Sequence, residues 1–422
     1  MSLDRRTFIR HASLGTVGLT TGVVLPAAEA RSALPSFDER APEKFWAAVR
    51  DQFPLSRQLT YFNTGGLGPA STPVLARAAE ITRQLQEKSE HGHGLHEGAR
   101  EIVARFLGAE PAEIAFVRNA TEGNAIIAAG LKLEPGDEVI FETHAHPGGS
   151  FAWANQAKVR GVVLKLFEPA ADAAENLARI TALVTKRTRV VQVSHVTAPT
   201  GIVMPVDAIA KLCRERGVWF HIDGAQSAGM FSFSLSTIGC DSFAASGHKW
   251  LGGPLETGVL FIRRERMVEV APTLVGAYSG ELDFLPGELH LATTAMRYEY
   301  GTRNAAAIVG LGEAVLFQER IGRDRIAARG RALAAQLRTG LASFPGVEVL
   351  TPVDAPSAMT TFRSAKVPYD QMFSRLMKDH AMRCRPVSEQ KLNALRVSTH
   401  LFNSPAEVAA LLAAVEKILK SA

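Results

Sequence analysis

The stretch FAASGHKWLGG, residues 243–253, places Lys249 between Gly247 and a second glycine pair, in partly apolar surroundings. A lysine on a solvated surface has polar neighbours, whereas Ala245 and Trp250 flank this one. Burial or a nearby cation lowers the pKa of an amine, so that a lysine can act as a nucleophile and form an imine with a carbonyl compound. The local sequence therefore predicts a reactive lysine that is held in a tight turn.

Other polar groups follow apolar runs that have the composition of strands. Asp223 ends the run GVWFHID, and Gln226 comes three residues later. Ser246 ends the run DSFAAS, and His248 follows it directly before the lysine. A carboxylate can keep a ring nitrogen protonated, while hydroxyl and imidazole groups can donate hydrogen bonds to a phosphate. These residues indicate a site for a phosphorylated aromatic ligand.

A phosphate cradle and a stacking ring are predicted after two further runs. Ala120 and Thr121 follow AEIAFV and open a helix, where free backbone N–H groups and the helix dipole favour a phosphate. His144 and His146 follow DEVIFET, and one of the two imidazoles is expected to stack on a planar ligand. Both histidines are candidates for this position.

The elements that must position these groups form an alternating pattern of strands and helices. Short runs rich in β-branched or aromatic residues alternate with helix-forming segments such as residues 204–216, which predicts an α/β fold with a mainly parallel sheet and helices on both faces. Ligands bind beside the carboxyl ends of the strands in such sheets, so the candidate residues are expected to meet at one edge. The predicted strands are residues 112–117, 137–143, 161–167, 188–196, 217–223, 241–246 and 257–263.

The pattern changes from about residue 305, where long amphipathic helices begin. Two weaker strands are predicted at residues 347–350 and 395–399, before a final helix. This organisation favours a smaller C-terminal α+β domain at residues 301–422. The large domain is then assigned to residues 31–300, with an N-terminal segment at 31–60.

Composition excludes several classes of protein. The chain has 422 residues, of which 46% are hydrophobic, so it can bury a large core. Charged residues make up 21%, which is typical of neither a disordered chain nor a membrane bundle. The net charge of +5 includes no long basic run, and nucleic-acid binding is therefore not expected. The three cysteines lie far apart without metal-ligand spacing, so neither a disulfide nor a metal site is predicted.

The N-terminal segment has the features of an export signal. A charged start at residues 4–10, a mild apolar run and AEA at residues 28–30 match the parts of a signal peptide, and the paired Arg5 and Arg6 resemble the twin-arginine type. The apolar run is too weak for a membrane anchor, which needs about 20 strongly apolar residues. We therefore predict a signal peptide at residues 1–30, passage through the twin-arginine translocase, a periplasmic location and no stable membrane insertion after cleavage. The alternative is an amphipathic N-terminal helix.

Together the lysine, carboxylate, stacking ring and phosphate cradle are the groups that pyridoxal 5′-phosphate (PLP) chemistry requires. The lysine forms an imine with the aldehyde of the cofactor. The carboxylate keeps the pyridine nitrogen protonated, so that the ring can accept electrons from the α-carbon of a substrate. The residues thus predict a PLP-dependent enzyme.

The sequence resembles the class V aminotransferase family of fold-type I PLP enzymes, which includes cysteine desulfurases, kynureninase and isopenicillin N epimerase. The resemblance spans nearly the whole chain after the signal, and the form GGPLETG is similar to the isopenicillin N epimerase-like branch. An exported member that modifies a peptide siderophore such as pyoverdine is the analogue that also carries a twin-arginine signal. The motifs, in the order of the family, are YFNTGGLGP (61–69), RNATEGNAI (118–126), HIDGAQSAG (221–229), SGHKWLGGPLETGVLFIR (246–263), RYEYGTRN (297–304) and LRVSTHLFN (395–403).

The resemblance implies a role for each candidate residue. Lys249 would form the Schiff base with PLP, Asp223 would pair with the pyridine nitrogen, and His146 would stack on the ring. Gln226 would bond the phenolic oxygen of the cofactor. Arg396 would bind the substrate carboxylate, for which a planar bidentate fork has the right geometry.

Further implied roles concern the phosphate and the substrate entrance. Thr302 would reach the phosphate from the second subunit of a homodimer, and Asn63 would line the loop at the substrate entrance. Within one chain, the phosphate would be held by Ala120, Thr121, Ser246 and His248.

One departure from the family narrows the expected chemistry. Cysteine desulfurases carry a catalytic cysteine shortly before the carboxylate-binding arginine, where this chain has MRCRPVSEQKLNALR. Cys384 precedes Arg385 at a position that is aliphatic in the family, and the expected place near Glu389 holds no cysteine. Cys384 is therefore predicted to be a strand residue, and sulfur transfer is disfavoured.

Two reaction types remain open for a small amino-acid or peptide-like substrate. The first is transamination or a related conversion, such as epimerisation, at the α-carbon of an amino acid or a glutamyl-type group. The second is a carbon–sulfur or other β-lyase reaction. A non-catalytic binding protein is disfavoured because the lysine, acid, amide and imidazole are all present. His195 and His221 are predicted to be hydrogen-bonded core residues.

Overall fold

A computed structural model describes residues 34–421 of the chain. The predicted signal peptide lies outside the described residues. The strands are β1 (Thr60–Tyr61), β2 (Ile114–Val117), β3 (Glu138–Glu142), β4 (Val163–Phe167), β5 (Thr188–Ser194), β6 (Trp219–Asp223), β7 (Ser242–Ser246), β8 (Gly258–Ile262), β9 (Gly280–Asp283), β10 (Glu288–Leu291), β11 (Val347–Val349), β12 (Met359–Ser364), β13 (Met382–Arg383), β14 (Arg385–Val387) and β15 (Ala394–Ser398).

Helices connect most of these strands, and short 3₁₀ turns occur between them. The helices are α1 (Pro42–Asp51), α2 (Thr72–Lys88), α3 (His96–Leu107), α4 (Ala120–Gly130), α5 (Pro147–Arg160), α6 (Ala173–Leu183), α7 (Val206–Arg216), α8 (Leu235–Ile238), α9 (Ala305–Ile321), α10 (Arg323–Ala342), α11 (Tyr369–His380) and α12 (Pro405–Lys420). The 3₁₀ turns are His93–Leu95, Pro111–Glu113, Arg264–Glu269, Ala295–Tyr298 and Glu389–Lys391.

The central sheet has the strand order β2-β8-β7-β6-β5-β3-β4. Strand β8 is antiparallel to β2 and β7, and the other neighbouring pairs are parallel. Strands β6 and β7 are buried along their whole length, as expected for parallel strands with helices on both faces. These seven strands are the seven predicted from sequence, each shorter by one to two residues at one or both ends. The prediction of an α/β fold is confirmed.

Two hydrophobic clusters cover the two faces of this sheet. Successive residues of a strand point to opposite faces, so Ala244 packs in one cluster and Ala245 in the other. Helices α3, α7 and α9 supply side chains to the cluster that contains Ala245. Helices α4 and α5 supply the other cluster, which includes the fully buried Trp153. Both faces of the sheet are therefore buried, and the ends of its strands are left for ligand binding.

A smaller antiparallel sheet follows, with the order β11-β12-β15-β14. Helices α10, α11 and α12 pack against it around residues such as Leu337, Phe362 and Val415. Strands β11 and β15 match the two strands predicted from sequence, and α12 is the predicted final helix. Strands β12 and β14 were not predicted, because MTTFRS is largely polar and RPV is short and contains a proline. The domain boundary at residue 300 stays a prediction.

The N-terminal part of the described chain is tied to the small sheet. Strand β1 pairs in parallel with β13, and Asn63 forms an isolated bridge with Ser398 at the end of β15. The loop of residues 63–68 therefore runs beside the small sheet, towards the carboxyl edge of the large one.

The segment RYEYGTRN is anchored to the large sheet by a buried ion pair. Glu299 accepts hydrogen bonds from Arg100 Nη1 and from the backbone N–H of Phe116 in β2, both at 2.7 Å. Burial of Glu299 opposes ionisation, but the hydrogen bonds from His96 and Arg100 and the charge of Arg100 outweigh it and lower the pKa of Glu299 to about 2. The ionised carboxylate thus fixes this segment, which also contains Thr302, against the sheet.

Within residues 34–421, none of the helices is both long and apolar enough to cross a membrane.

Candidate active site

A cavity of about 270 Å³ lies where the strands of the large sheet end. Loops after β2, β3, β6 and β7 form one side, the loop of residues 65–66 contributes a second, and strands β14 and β15 contribute a third. The structure thus brings together nine of the residues singled out from sequence. They are Ala120, Thr121, His146, Asp223, Gln226, Ser246, His248, Lys249 and Arg396.

Lys249 lies in a turn that leaves little freedom to the backbone. The N–H of Gly247 donates to Thr257 O at 2.7 Å, and the N–H of Gly68 donates to His248 O at 2.8 Å. A Cβ atom on Gly68 would lie 1.7 Å from Lys249 O, so only glycine allows this close approach. The loop of residues 63–68 therefore contacts the turn that carries the lysine.

The electrostatics of the cavity favour the free amine of Lys249. Burial lowers its pKa to about 8, and the guanidinium groups of Arg396 and Arg385 act in the same direction. The carboxylate of Asp223 opposes this shift by stabilising the ammonium form. The predicted reactive lysine thus has a physical basis in burial and neighbouring cations.

Asp223 is held at the end of β6 by two donors. Its Oδ1 accepts from the N–H of Ala225 at 3.0 Å, and its Oδ2 accepts from Asn124 Nδ2 at 2.9 Å. Since the amide nitrogen of Asn124 faces Asp223, its Oδ1 accepts from His221 Nε2 at 2.8 Å. His221 Nδ1 then accepts from the hydroxyl of Ser242, also at 2.8 Å.

Burial lowers the pKa of His221 to about 3, which keeps the ring neutral and this hydrogen-bond direction fixed. His221 is therefore a hydrogen-bonded core residue, as predicted. His195 is also buried, but its ring lies edge-on to Phe231 and Phe233, and Nδ1 has no hydrogen-bond partner. His195 is thus a buried core residue, as predicted, but its Nδ1 atom lacks the predicted hydrogen bond.

Gln226 is oriented by the residue after the lysine. Its Oε1 accepts from Trp250 Nε1 at 2.7 Å, and its Nε2 donates to Gly65 O at 2.9 Å. The amide has a second N–H, which can point into the cavity. This arrangement suits the predicted role of Gln226 as a donor to the phenolic oxygen of the cofactor.

The start of α4 forms an anion-binding corner of the cavity. Ser246 Oγ accepts from the N–H of Ala120 at 3.1 Å, so its own proton remains for another acceptor. Nδ1 of His248 is buried without a hydrogen-bond partner. A Cβ on Gly148 would lie 2.3 Å from Thr121 Oγ1, so glycine keeps this corner open. Helix N-terminus, hydroxyl and unpartnered imidazole together suit a phosphate.

The two candidate histidines occupy different environments. His146 caps α5, accepts from the N–H of Gly148 at 3.0 Å and lines the cavity. Burial and the charge of Lys249 lower the pKa of His146, which favours a neutral ring. His144 is buried and hydrogen-bonded to Thr200 Oγ1 at 3.1 Å, and it does not line this cavity. The geometry suits His146 as the stacking ring, and that role stays a prediction.

Arg396 lies on β15 and is almost completely buried, with 1% of its surface exposed. Its Nη1 donates to Ala198 O at 2.8 Å and its Nη2 to Asn63 Oδ1 at 3.2 Å. Burial and the charge of Arg385 lower the pKa of Arg396 to about 9. Asn63 therefore contacts the substrate-binding candidate directly, rather than only lining an entrance.

Thr302 lies at a second cavity of about 290 Å³, together with Arg118, Glu256 and Tyr300. It does not line the Lys249 cavity within residues 34–421 of one chain. The prediction placed Thr302 at the site of a second subunit, and it stays a prediction.

Sequence reasoning missed two charged or polar residues at the site, Asn124 and Arg385. Asn124 lies one helical turn after Ala120, so helical spacing already placed it on the same face of α4. Arg385 became visible only through the pairing of β14 with β15.

None of the three cysteines Cys213, Cys240 and Cys384 lines this cavity. Cys213, Cys240 and Cys384 are buried and free, and burial raises the pKa of each thiol to about 12. Cys384 lies between β13 and β14 rather than within a strand, which corrects the prediction for this residue. In the part of the chain that the structure describes, no group of three or more histidine, cysteine or acidic side chains is placed to hold a metal ion.

The family model of class V aminotransferases matches residues 74–411, which include all the residues that line the cavity except Gly65 and Gly66. The chain belongs to this family. The predicted family is confirmed, and PLP is its cofactor. The unpartnered imidazole of His248 and the open corner beside Gly148 fit the phosphate group of PLP, and the shifted amine of Lys249 fits its aldehyde.

Relatives and solved structures of class V enzymes agree with this assignment. The isopenicillin N epimerase of Amycolatopsis lactamdurans is 30% identical over 89% of this chain and 99% of its own length. A probable cysteine desulfurase of Pyrococcus abyssi is 28% identical over 88% of this chain and 97% of its own.

The fold is also similar to that of solved structures. A cysteine desulfurase from Thermococcus onnurineus NA1 aligns with a TM-score of 0.81 at 27% identity, over 92% of this chain and 100% of that one. A mutant of C-DES with glycine covalently linked to its PLP cofactor aligns equally well, over 87% of this chain and 98% of that one, at 27% identity. The prediction of a fold-type I PLP enzyme is thus confirmed.

We expect the amine of Lys249 in the cofactor-free protein to titrate near pH 8, whereas a solvated lysine titrates near 10.4. Competitive acetylation followed by peptide mass spectrometry measures this midpoint, with the exposed Lys158 in the same digest as the reference. Asp223→Asn removes the anion that favours the ammonium form, so the midpoint should fall further. A midpoint above pH 10 would contradict the burial of the amine.

Proposed function

We propose that this class V enzyme acts at the α-carbon of an amino acid or a glutamyl-type group, in an aminotransferase-like conversion. The observation that carries the proposal is one cavity that holds the Lys249 amine, the Asp223 carboxylate and the Arg396 guanidinium. These groups provide a base, an anchor for a cationic ring and an anchor for a substrate carboxylate.

Each residue has a defined task in such a reaction. When bound, PLP supplies an electron-accepting ring that makes the α-proton of an amino substrate acidic. Lys249, with its lowered pKa, can take and return a proton at its Nζ atom near neutral pH. Arg396 orients the substrate through its carboxylate, and Asp223 stays fixed by Asn124 and Ala225.

The residues around the amine bear on the reaction type. In residues 34–421, no cysteine lines the cavity, and the buried thiol of Cys384 is held protonated by its raised pKa. Sulfur transfer through an enzyme persulfide is therefore disfavoured. The second candidate is a carbon–sulfur or other β-lyase reaction, which does not need an enzyme thiol; similarity to the cystine C-S lyase C-DES favours it. Epimerisation is an alternative that the isopenicillin N epimerase relatives favour.

Product analysis tests this proposal. The wild-type protein should carry a borohydride-reducible covalent link to PLP, and L-glutamate should convert the cofactor to its pyridoxamine form with release of a keto acid. Lys249→Ala should lose the link, whereas the exposed Lys158→Ala should keep it. Release of ammonia and pyruvate from L-cystine would favour the lyase, and inversion at the α-carbon would favour the epimerase. A reducible link that persists in Lys249→Ala would refute the assignment of this lysine.

We further propose that the enzyme is exported through the twin-arginine translocase and acts in the periplasm, on a substrate such as a peptide siderophore of the pyoverdine type. The support is the pair Arg5 and Arg6 ahead of a mild apolar run and AEA. The route carries folded proteins, so a cofactor can be inserted before export.

Replacement of both arginines tests the route. The double variant Arg5→Lys, Arg6→Lys keeps the charge but not the twin-arginine pair, so the precursor should accumulate in the cytoplasm, folded and with PLP bound. Cell fractionation measures the distribution. The matched control is Arg10→Lys, which should leave export unchanged. Undisturbed export of the double variant would show that another route is used.

We also propose a homodimer in which Thr302 of one subunit reaches the phosphate corner of the other. Exposed apolar side chains support an interface: Phe284 is 80% and Leu285 93% exposed at the tip of the β9–β10 hairpin. Apolar surface of this kind is typical of a protein contact. The segment of Thr302 is held rigidly by Glu299, which suits a contact across subunits.

Analytical ultracentrifugation tests the dimer. Phe284→Asp should shift the protein towards the monomer, because a charge would be buried in the interface, and Thr302→Val should weaken PLP binding about fivefold through the loss of one hydrogen bond. Val353→Asp changes an exposed apolar side chain near the small sheet and is the control. A monomer that retains PLP with wild-type affinity would exclude the role of Thr302.

A further inference from the structure

Two arginines face each other across the small sheet at the edge of the active-site cavity. Arg385 on β14 is the direct cross-strand partner of Arg396 on β15, and both line the cavity. Side chains at directly opposite positions lie close together, and like charges there are destabilising. Because both arginines lie in a partly buried position, we expect an anion to balance their positive charge.

The described residues balance only part of this positive charge. Arg385 is paired with Glu389 through Nη2, while its Nη1 is buried without a hydrogen-bond partner. Arg396 uses Nη1 and Nη2 for Ala198 O and Asn63 Oδ1, and its Nε is buried without a partner. Each guanidinium thus keeps one buried nitrogen atom that has no hydrogen-bond partner among the described residues. Unsatisfied buried donors of charged groups are costly, and a bound anion would remove this cost.

The other polar groups of the cavity form no hydrogen bonds with these two nitrogen atoms. The carboxylate of Asp223 is engaged by Asn124 and Ala225, and it lies at the end of β6 in the other sheet. The phosphate-binding corner at α4 is built from Ser246, His248 and the helix start, without either arginine. The arginine pair therefore belongs to the substrate side of the cavity.

We propose that the arginine pair binds two carboxylates of one substrate, so that the enzyme takes amino acids that carry a second free carboxylate. Arg396 holds the carboxylate on the reacting carbon, and Arg385 holds the side-chain carboxylate. The assignment rests on the proposed function for the role of Arg396. The two free donors are on different guanidinium groups, each fixed by its own acceptors, which suits two anionic groups rather than one.

Selectivity follows from the same geometry. A substrate without the second carboxylate leaves the Arg385 donor unpaired in a buried place, and sites built for a polar group reject analogues that lack it. Glu389 acts as the resident counter-ion of Arg385, so the empty site remains stable. Arg385 is accordingly a specificity-determining residue.

The test uses two non-reactive probes and the PLP-loaded enzyme. Glutarate has two carboxylates, and butyrate is a probe of similar length with one. Isothermal titration calorimetry at low ionic strength should show glutarate to bind at least about tenfold more tightly than butyrate. Arg385→Gln should weaken glutarate about 10- to 100-fold and leave butyrate unchanged. Arg385→Lys keeps the charge without the fork and should recover part of the loss.

The matched control is Arg363→Gln. Arg363 lies on β12 of the same sheet and pairs with Glu348, but both are largely exposed to solvent, so neither probe should be affected. Equal affinity for both probes, or an equal loss of both in Arg385→Gln, would overturn the proposal, because one shared carboxylate would then explain the pair. If Arg385→Gln fails to fold, an unchanged glutarate affinity in Arg385→Lys would overturn it as well.

The probe-binding test and the test of the proposed function can fail independently of each other. Probe binding needs no turnover, whereas the proposed function is tested by the borohydride-reducible link and by the products. A reducible link together with no preference for glutarate would refute the second carboxylate site alone.

Discussion

The burial of the Lys249 amine is the constraint on which the rest of the site depends. An ammonium group loses hydration when it is buried, and two guanidinium groups on the small sheet disfavour it further. The Asp223 carboxylate acts against these effects. The balance gives an amine that can be neutral close to neutral pH and can regain its proton at little cost, as a residue that moves protons must do.

The turn around the lysine is held by contacts from several parts of the chain. Trp250 O accepts from Gln318 Nε2 at 2.6 Å and from His400 Nε2 at 3.1 Å, while its indole N–H orients Gln226. Helix α9 and the loop after β15 thereby contact the same turn. Because Trp250 is fully buried, the position of the amine is set by the packing of both sheets and not by the loop alone.

A second network explains why polar residues occur inside apolar strands. His221 and Ser242 lie in β6 and β7, where apolar residues would be expected, and they connect through Asn124 to Asp223. Trp219 Nε1 donates to Ser242 Oγ at 2.9 Å and is the first donor in this chain of hydrogen bonds. The Trp219 indole donates to Ser242, and this fixes the direction of each later hydrogen bond in the chain. Asp223 is therefore held in one position as an acceptor. Fully satisfied buried networks of this kind give rigidity.

Much of this arrangement could be predicted from sequence, because it depends on local signals. The seven strands of the large sheet are continuous apolar runs, and Asp223, Ser246 and the start of α4 follow directly from where these runs end. Strands β12 and β14 could not be predicted, because they are short or polar and are stabilised by their neighbours in the sheet. Arg385 was missed for a related reason. Its pairing with Arg396 depends on the register between β14 and β15. The loop that joins these strands contains Gln390, Lys391 and Asn393 with positive φ angles.

The division of the cavity between two sheets separates two tasks. The large sheet contributes Lys249, Asp223 and the α4 corner, for which cofactor roles are predicted, whereas the small sheet contributes Arg385 and Arg396, which we propose bind the substrate. The first set is built on strand ends that the buried core fixes. The second set lies on short strands joined by a loop, where single substitutions can change charge or shape without disturbing that core. A family with one cofactor site can thus include members named as epimerases and as cysteine desulfurases at about 30% identity to this chain. The guanidinium pair of β14 and β15 is therefore the part of this chain in which its own substrate preference should be sought.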